Sequence, residues 1–301
     1  MKKAELQMHI TLRQLEIFRA IGQYGRVTVA AESLHISQPA ASMALSELEK
    51  HLGPLFDRSQ GAGLKLNDSG RALLPKACEL IDRAREIETQ FAVDGSYDIG
   101  SLVINASSTV GNSLLPKMLA RFRQDNPGIR IDLEIDNTRN IEQRLLEFKI
   151  DLAVVEGVCL HPDIKVTTWL EDELVIICSP DHPMANKEDV PLSALANELW
   201  VLREQGSGTR ELFDEMVATQ LASPKVAMVL NRSEAVKQAV SDGVGIACIS
   251  RLAAKASLNS GHMAIIGVTG LELKRHFYLL THKRKYISTV LNRLCQFIID
   301  W

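Results

Sequence analysis

Two short segments carry hydroxyl groups where a small ligand could use them. Ser107-Ser108-Thr109 follows an apolar run and precedes a helical one. Its hydroxyls and the free backbone N–H groups of the helix start therefore converge on one spot, with the positive end of the helix behind them. Gln205-Gly206-Ser207-Gly208-Thr209 repeats the arrangement further along. Such a place suits a small anion. Taken singly, each segment is equally well read as helix capping, for which Ser and Thr are common; two of them at matching places in two similar units point to a ligand.

No segment carries a recognisable set of catalytic residues. Gly206-Ser207-Gly208-Thr209 lacks the lysine of a phosphate-binding loop, and Gly243-Val244-Gly245-Ile246 follows a helix and precedes a strand, the reverse of a dinucleotide fingerprint. The eight histidines lie apart, and His161-Pro162 and His182-Pro183 read as turns. Cys78, Cys159, Cys178, Cys248 and Cys295 are scattered singly, without the C-x-x-C pairs of zinc or dithiol sites. They are expected to be reduced and mostly buried. No metal, no cofactor and no enzymatic activity is expected.

The elements that must position these residues begin with the whole chain. Its 301 residues suit two domains, and 46% hydrophobic against 24% charged residues is an ordinary globular balance. A net charge of -3 excludes a protein coated in positive charge, so any nucleic-acid contact must come from a local patch. No apolar run approaches the roughly 18 residues of a membrane span. Near the N-terminus Glu5, Gln7 and His9 stand where a signal peptide needs an apolar stretch, so a cytoplasmic protein is expected.

Residues 11–23 place Leu12, Leu15, Ile17, Phe18 and Ile21 on one side of a helix that Gly25 ends. Residues 27–34 follow, with Ala30 and Ala31 small enough for close packing, and His35-Ile36 turns the chain. Ser37 then caps a helix with Pro39 in its first turn and Ala40, Ala44, Leu45 and Leu48 as its inward face. Two short helices joined by a tight turn make a helix-turn-helix, whose second member has its first residues free to enter a DNA major groove. Residues 1–65 hold eight Lys/Arg against six Asp/Glu, a small surplus for a DNA binder, so tight binding needs two such domains together.

A long helix from residue 67 to 91 supplies the means to pair them. Leu73, Leu74, Ala77, Leu80, Ile81, Ala84, Ile87 and Phe91 recur in steps of three and four, making one apolar stripe that packs either on its copy in a second subunit or on its own chain. After a glycine-marked break at 95–100, strands and helices alternate. Strands are expected at 102–106, 129–135 and 152–155 with helices at 112–124 and 140–148. A second series follows, with strands at 174–178, 199–202, 226–230 and 245–249 and helices at 209–220 and 234–242. A last strand at 277–281 and helix at 288–299 return to the first unit.

Leu34-His35-Ile36-Ser37-Gln38-Pro39-Ala40-Ala41-Ser42, with Leu48-Glu49, Leu52-Gly53, Leu55-Phe56-Asp57-Arg58 and Asn67-Asp68-Ser69-Gly70, resembles at nearly fixed spacing the winged helix-turn-helix of LysR-type transcription regulators. The resemblance implies that Ser37, Gln38, Pro39, Ala41, Ser42 and Met43 face double-stranded operator DNA and that Arg58 lies at the wing. Two positions depart from the family pattern. Met43 replaces a residue that is often long and polar or basic, and can offer only apolar contact. Asn67 replaces a Thr and can cap the next helix as well.

The remainder looks like the family's effector domain, two lobes of periplasmic-binding-protein type around a ligand cleft. Asn105 to Asn112, Leu114-Leu115-Pro116 and Trp169 to Leu174 are most similar to members grouped with CysB and CbbR and to the sulfite-responsive YeiE type. The implied fold is an N-terminal all-α winged helix-turn-helix (residues 1–66), a dimerisation linker helix (67–95) and a C-terminal α/β two-lobed effector domain (96–301). Lobe I takes residues 96–170 and 270–301, and lobe II residues 171–269. A small oxyanion, sulfite or sulfate first and a small carboxylate second, is the effector expected beside Ser107, Ser108, Thr109, Gln205, Ser207 and Thr209. Glu156 lies either at the cleft rim or as a solvated loop carboxylate. The family commonly assembles as homodimers and homotetramers. An enzyme is the main rival class and a structural or adaptor protein, such as a DNA binder insensitive to ligand, the third; a gel-shift assay with the DNA upstream of its own gene separates all three.

Overall fold

Reciprocal capping starts the first helix, α1 (Leu12–Tyr24): the Thr11 hydroxyl accepts from the Gln14 N–H at 3.2 Å and the Gln14 side chain accepts from the Thr11 N–H at 2.8 Å. The computed structural model describes residues 8–58, 63–91, 100–157, 159–221 and 223–301. The chain divides into two compact units. One comprises Met1–Gly100, Glu147–Lys149 and Lys283–Arg293; the other Ser101–Leu146, Ile150–His282 and Leu294–Trp301.

In the first unit α1 ends at Gly25, whose φ of 68° suits a residue without a side chain. α2 (Val27–Ser33) packs through the fully buried Ala30 and Ala31, and α3 (Gln38–Leu52) starts at Ser37, whose hydroxyl accepts from the Ala40 N–H at 3.3 Å. β1 (Phe56–Arg58) and β2 (Leu64–Leu66) form the antiparallel wing. Asn67 then caps α4 (Asp68–Gln90) by accepting from the Gly70 N–H at 2.9 Å. A Cβ on Gly70 would stand 2.2 Å from the Leu55 carbonyl, so the entry to α4 needs glycine.

The apolar stripe of α4 is divided between two uses. Leu74, Ala77, Cys78 and Ile81 are buried with Phe18, Ile21, Leu48 and Leu55 in the helix-turn-helix core, which corrects the reading of one uniform seam. Leu80, Ile87 and Phe91 are 50%, 58% and 73% exposed. Further along α4, Asp82 accepts from Lys285 at 2.6 Å and Glu86 from the Tyr286 hydroxyl and both the N–H and hydroxyl of Thr289. Those donors hold the Glu86 carboxyl below its ordinary range. The break at 95–100 lies, Gly100 apart, outside the described residues.

The second unit carries β3 (Gly100–Ala106, entering from the first unit), α5 (Ser108–Ser113), α6 (Leu115–Asp125), β4 (Ile129–Ile135), α7 (Thr138–Leu146) and β5 (Leu152–Glu156). There follow β6 (Ile164–Cys178), β7 (Leu199–Arg203), α8 (Gly208–Phe213), β8 (Lys225–Leu230), α9 (Ser233–Ser241) and β9 (Ala247–Ser250). α10 (Arg251–Asn259), β10 (Ala264–Ile266) and β11 (Lys274–His282) follow, and α11 (Thr289–Ile299), which begins in the first unit and ends in the second, completes the chain. The main sheet runs β10-β6-β11-β5-β3-β4, with β9 also paired to β6. β6 therefore belongs to both lobes, its first part beside β11 and its last residues beside β9 and β10. β7 pairs with β8 in parallel around a lobe II core of Trp200 and Phe213, ring centroids 4.8 Å apart.

Three expected elements differ. The helix at 112–124 is two helices broken at Leu114, because the residue before Pro116 and the proline itself resist a continuous hydrogen-bond ladder. The helix at 209–220 is α8 followed by a π-helical turn, Asp214–Ala218. The strand at 174–178 is only the end of β6. Among the described residues no helix is long and apolar enough to cross a membrane. None of the five cysteines forms a disulfide, and burial pushes the Cys159, Cys178 and Cys295 thiols up to about 11 and Cys248 to about 12.

Candidate functional sites

α3 presents Gln38, Pro39, Ser42 and Met43 beside its capping Ser37. Ser37, Gln38 and Pro39 are exposed, Ser42 is half-buried and Met43 is 66% exposed. The Gln38 amide donates to the Ser42 hydroxyl at 2.9 Å, one turn along the same face. Ala41 does not belong there. It is fully buried against Leu45 and Leu48, whereas Ala40, expected inside, is exposed. A helix turns about 100° per residue, so a one-residue error in phase exchanges core and surface. Arg58 stands on the wing strand β1; its side chain lies outside the described residues.

In the effector domain the two hydroxyl-bearing turns meet on a cation that the sequence reading missed. Arg275, on β11, donates through Nε to Asp172 at 2.7 Å, through Nη1 to the Thr209 hydroxyl at 3.1 Å, and through Nη2 to the Thr109 hydroxyl at 3.5 Å. The same guanidinium lies 3.9 Å from Glu156. Ser107, Ser108, Thr109, Ser207 and Thr209 are all buried. The lobes also touch where the Ser233 N–H meets the Ser108 hydroxyl at 3.4 Å, and a Cβ on Gly208 would stand 2.4 Å from the Glu156 carbonyl. The Ser207 hydroxyl is buried and has no hydrogen-bond partner among the described residues.

Two expected ligand residues behave differently. Gln205 is exposed and donates to Asp214 at 3.3 Å, because Gly206 with φ 87° turns the chain after it. Glu156 is neither a rim nor a solvated carboxylate. At 1% exposure it ends β5 inside the domain, accepting from the Ser107 hydroxyl, while its backbone carbonyl accepts from Thr138 at 2.9 Å. Burial pushes its carboxyl above the ordinary range, and Arg275 and Arg203 pull part of the way back.

The expected anion site of uncharged donors alone is thus corrected: it holds Arg275 balanced by Asp172, which also accepts from Ser250 at 2.6 Å. Buried Arg203 lies nearby, fixed on Glu204 at 2.9 and 3.1 Å and on the Ser233 hydroxyl at 3.0 Å. One signal for Arg275 was present. It occupies an inward position of an alternating strand, in phase with Phe277 and Leu279, where an unpaired cation would be costly.

Comparison with known proteins agrees with both parts. Residues 12–71 match the family described as bacterial regulatory helix-turn-helix protein, lysR family, and residues 96–301 match the LysR substrate binding domain. The chain is 41% identical over 291 residues to the HTH-type transcriptional regulator YeiE of Escherichia coli (strain K12), covering 96% of this chain and 97% of the relative. The regulatory domain of CcmR from Synechocystis PCC6803, solved in complex with 2-PG, is 27% identical with a TM-score of 0.63, over 67% of this chain and 96% of that one. A full-length OxyR variant from Pseudomonas aeruginosa shares the fold at 20% identity, with a TM-score of 0.73 over 98% of this chain and 95% of that one. By these matches over nearly its whole length, the chain belongs to the LysR family of DNA-binding transcriptional regulators, with a ligand-binding domain and not an enzyme's active site.

Proposed function

We propose that the chain reads an operator as a homodimer, able to pair further into a tetramer, and that a small oxyanion held between its lobes alters that reading. Residues 1–66 are the DNA-reading domain, 67–95 the dimerising helix and 96–301 the effector domain of a cytoplasmic regulator. Ser37, Gln38, Pro39, Ser42 and Met43 form the DNA-facing set, with Arg58 at the wing. Gln38→Ala is expected to cost about 1 to 3 kcal/mol of discrimination between operator and unrelated DNA. Arg58→Ala should instead weaken all sequences alike and flatten the salt dependence. Gel shifts across salt concentrations check both; mutants that bind every DNA as the parent does would remove this docking.

The effector half rests on one observation: the hydroxyls of Thr109 and Thr209 share one buried guanidinium, that of Ser107 donates to Glu156 beside it, and that of Ser207, buried in the same turn as Thr209, has no partner among the described residues. Donors of this kind satisfy oxyanion oxygens, and their polarity disfavours a bulky aromatic effector. Sulfite and sulfate are the first candidates from the sequence resemblance, and a small organic carboxylate is the runner-up. An anion bonded to both lobes favours the arrangement that lets both contacts form, which is how it shifts the population. Calorimetric titration with sulfite, sulfate, phosphate and small carboxylates tests the reading. Thr109→Val or Thr209→Val should weaken the bound anion about ten- to a hundredfold, the worth of one hydrogen bond to a charged group. Affinity untouched by both changes would refute the site.

A further inference from the structure

Two carboxyls share one guanidinium at the centre of the effector domain. Asp172 takes Arg275 at 2.7 Å and Glu156 stands at 3.9 Å, and both carboxyl side chains are nearly inaccessible to water. Arg203 acts on Glu156 from β7, but its charge is matched by Glu204. From the other elements, the contacts to Glu156 among the described residues are neutral: Ser107 before α5, Thr138 of α7 and the backbone of Gly208 on α8. The remaining carboxyls of α7 and α8, Glu142 and Glu211, act on one another beside Cys159. With Glu156 ionised, the enclosure of Arg275, Asp172 and Glu156 already carries one uncompensated negative charge. An anion added there meets a like charge that water does not screen.

We infer that an anionic effector enters this site together with a proton from solvent, and that Glu156 holds the proton while the effector is bound. This rests on the oxyanion reading above. The Ser107 hydroxyl makes the exchange possible without an orphaned group. Facing a carboxylate it must donate its hydrogen to Glu156. Facing a carboxylic acid it accepts the Glu156 proton and turns its own hydrogen toward the effector. Burial raises the carboxyl in the right direction for this exchange. Binding of the anion is then tighter at lower pH, and the regulator reads acidity and effector jointly.

The experiment is calorimetric titration of the full chain with sulfate, whose charge is constant over the range, between about pH 6 and pH 8 in two buffers of different ionisation enthalpy. Sulfite is run alongside, with Glu156→Gln subtracting that ligand's own titration. The expected result is affinity that falls with rising pH, by up to about tenfold per unit, and proton uptake that vanishes in Glu156→Gln. Difference infrared spectra of the unmodified protein give a readout that needs no variant: a carboxylic acid C=O band must grow as the anion is added. An anion that binds with no proton uptake and no such band overturns the linkage and leaves the oxyanion reading standing. A protein that binds neither anion nor any small carboxylate overturns both.

Discussion

Arg275→Met should destabilise the effector domain by about 3 to 5 kcal/mol, the cost of removing one member of a buried ion pair. The methionine keeps the apolar stem and much of the volume of the arginine but not the guanidinium, which lies 5.7 Å from the Phe277 ring centroid. What is lost is the charged partner of Asp172, whose side chain is 3% exposed and, among the described residues, keeps the Ser250 hydroxyl. Thr109 and Thr209 lose their shared donor at the same stroke. The prediction separates charge from shape through a second substitution. Asp172→Asn in the Arg275→Met background removes the stranded carboxylate and should recover much of the loss, because a neutral buried pair lacks the desolvation cost of a lone charge. Urea unfolding followed by tryptophan fluorescence measures all four corners of this cycle, and Trp200 reports from the adjoining lobe II core. Additive losses, or a single variant as stable as the parent, would mean that the pair does not organise the lobes. The double variant should stay blind to anions, since stability returns without the cation.

The fold was legible in the sequence wherever a local rule decided it. Thr11 with Gln14, Ser37 with Pro39, and Gly25 mark helix ends by groups within a few residues of one another, and the helices stand where those groups put them. β5, buried on both faces, reads as the apolar run Leu152 to Val155. The first part of β6 escaped because exposed residues such as Lys165, Thr168 and Glu171 break both the alternation and the apolar run, and nothing nearby shows that β11, about a hundred residues later by register, will pair with it. The site follows the same division. Its hydroxyl turns are contiguous and were found, although Gly206 turns Gln205 away. The cation that joins them is 103 residues from its carboxylate partner, a separation at which only the inward phase of Arg275 in its strand gave notice. The phase of α3 shows how fine the limit is. Ala40 and Ala41 are chemically identical neighbours, and only the packed structure tells which one touches the core.

On the proposed pairing through α4, Leu80→Glu should leave each subunit folded and abolish the dimer. Periodicity placed Leu80 in the same stripe as Ala77, but the two residues now have opposite roles. Ala77 is fully buried in the helix-turn-helix core, whereas Leu80 is half exposed within its own subunit, on the side that Ile87 and Phe91 continue. A charge at an exposed helix position changes stability by no more than about 0.5 kcal/mol. The same charge facing a second copy must be buried without a partner, at several kcal/mol, and twice over in a symmetric pair. Sedimentation should therefore show Leu80→Glu as a smaller species whose helical circular dichroism and unfolding match the parent. Operator affinity should fall by about a hundredfold or more, because two reading domains on one molecule gain that much over two separate ones. Ala77→Glu is the control with the opposite signature, unfolding its own domain before assembly is in question. An intact dimer in Leu80→Glu, with operator binding unchanged, would put the subunit interface on another face of the protein.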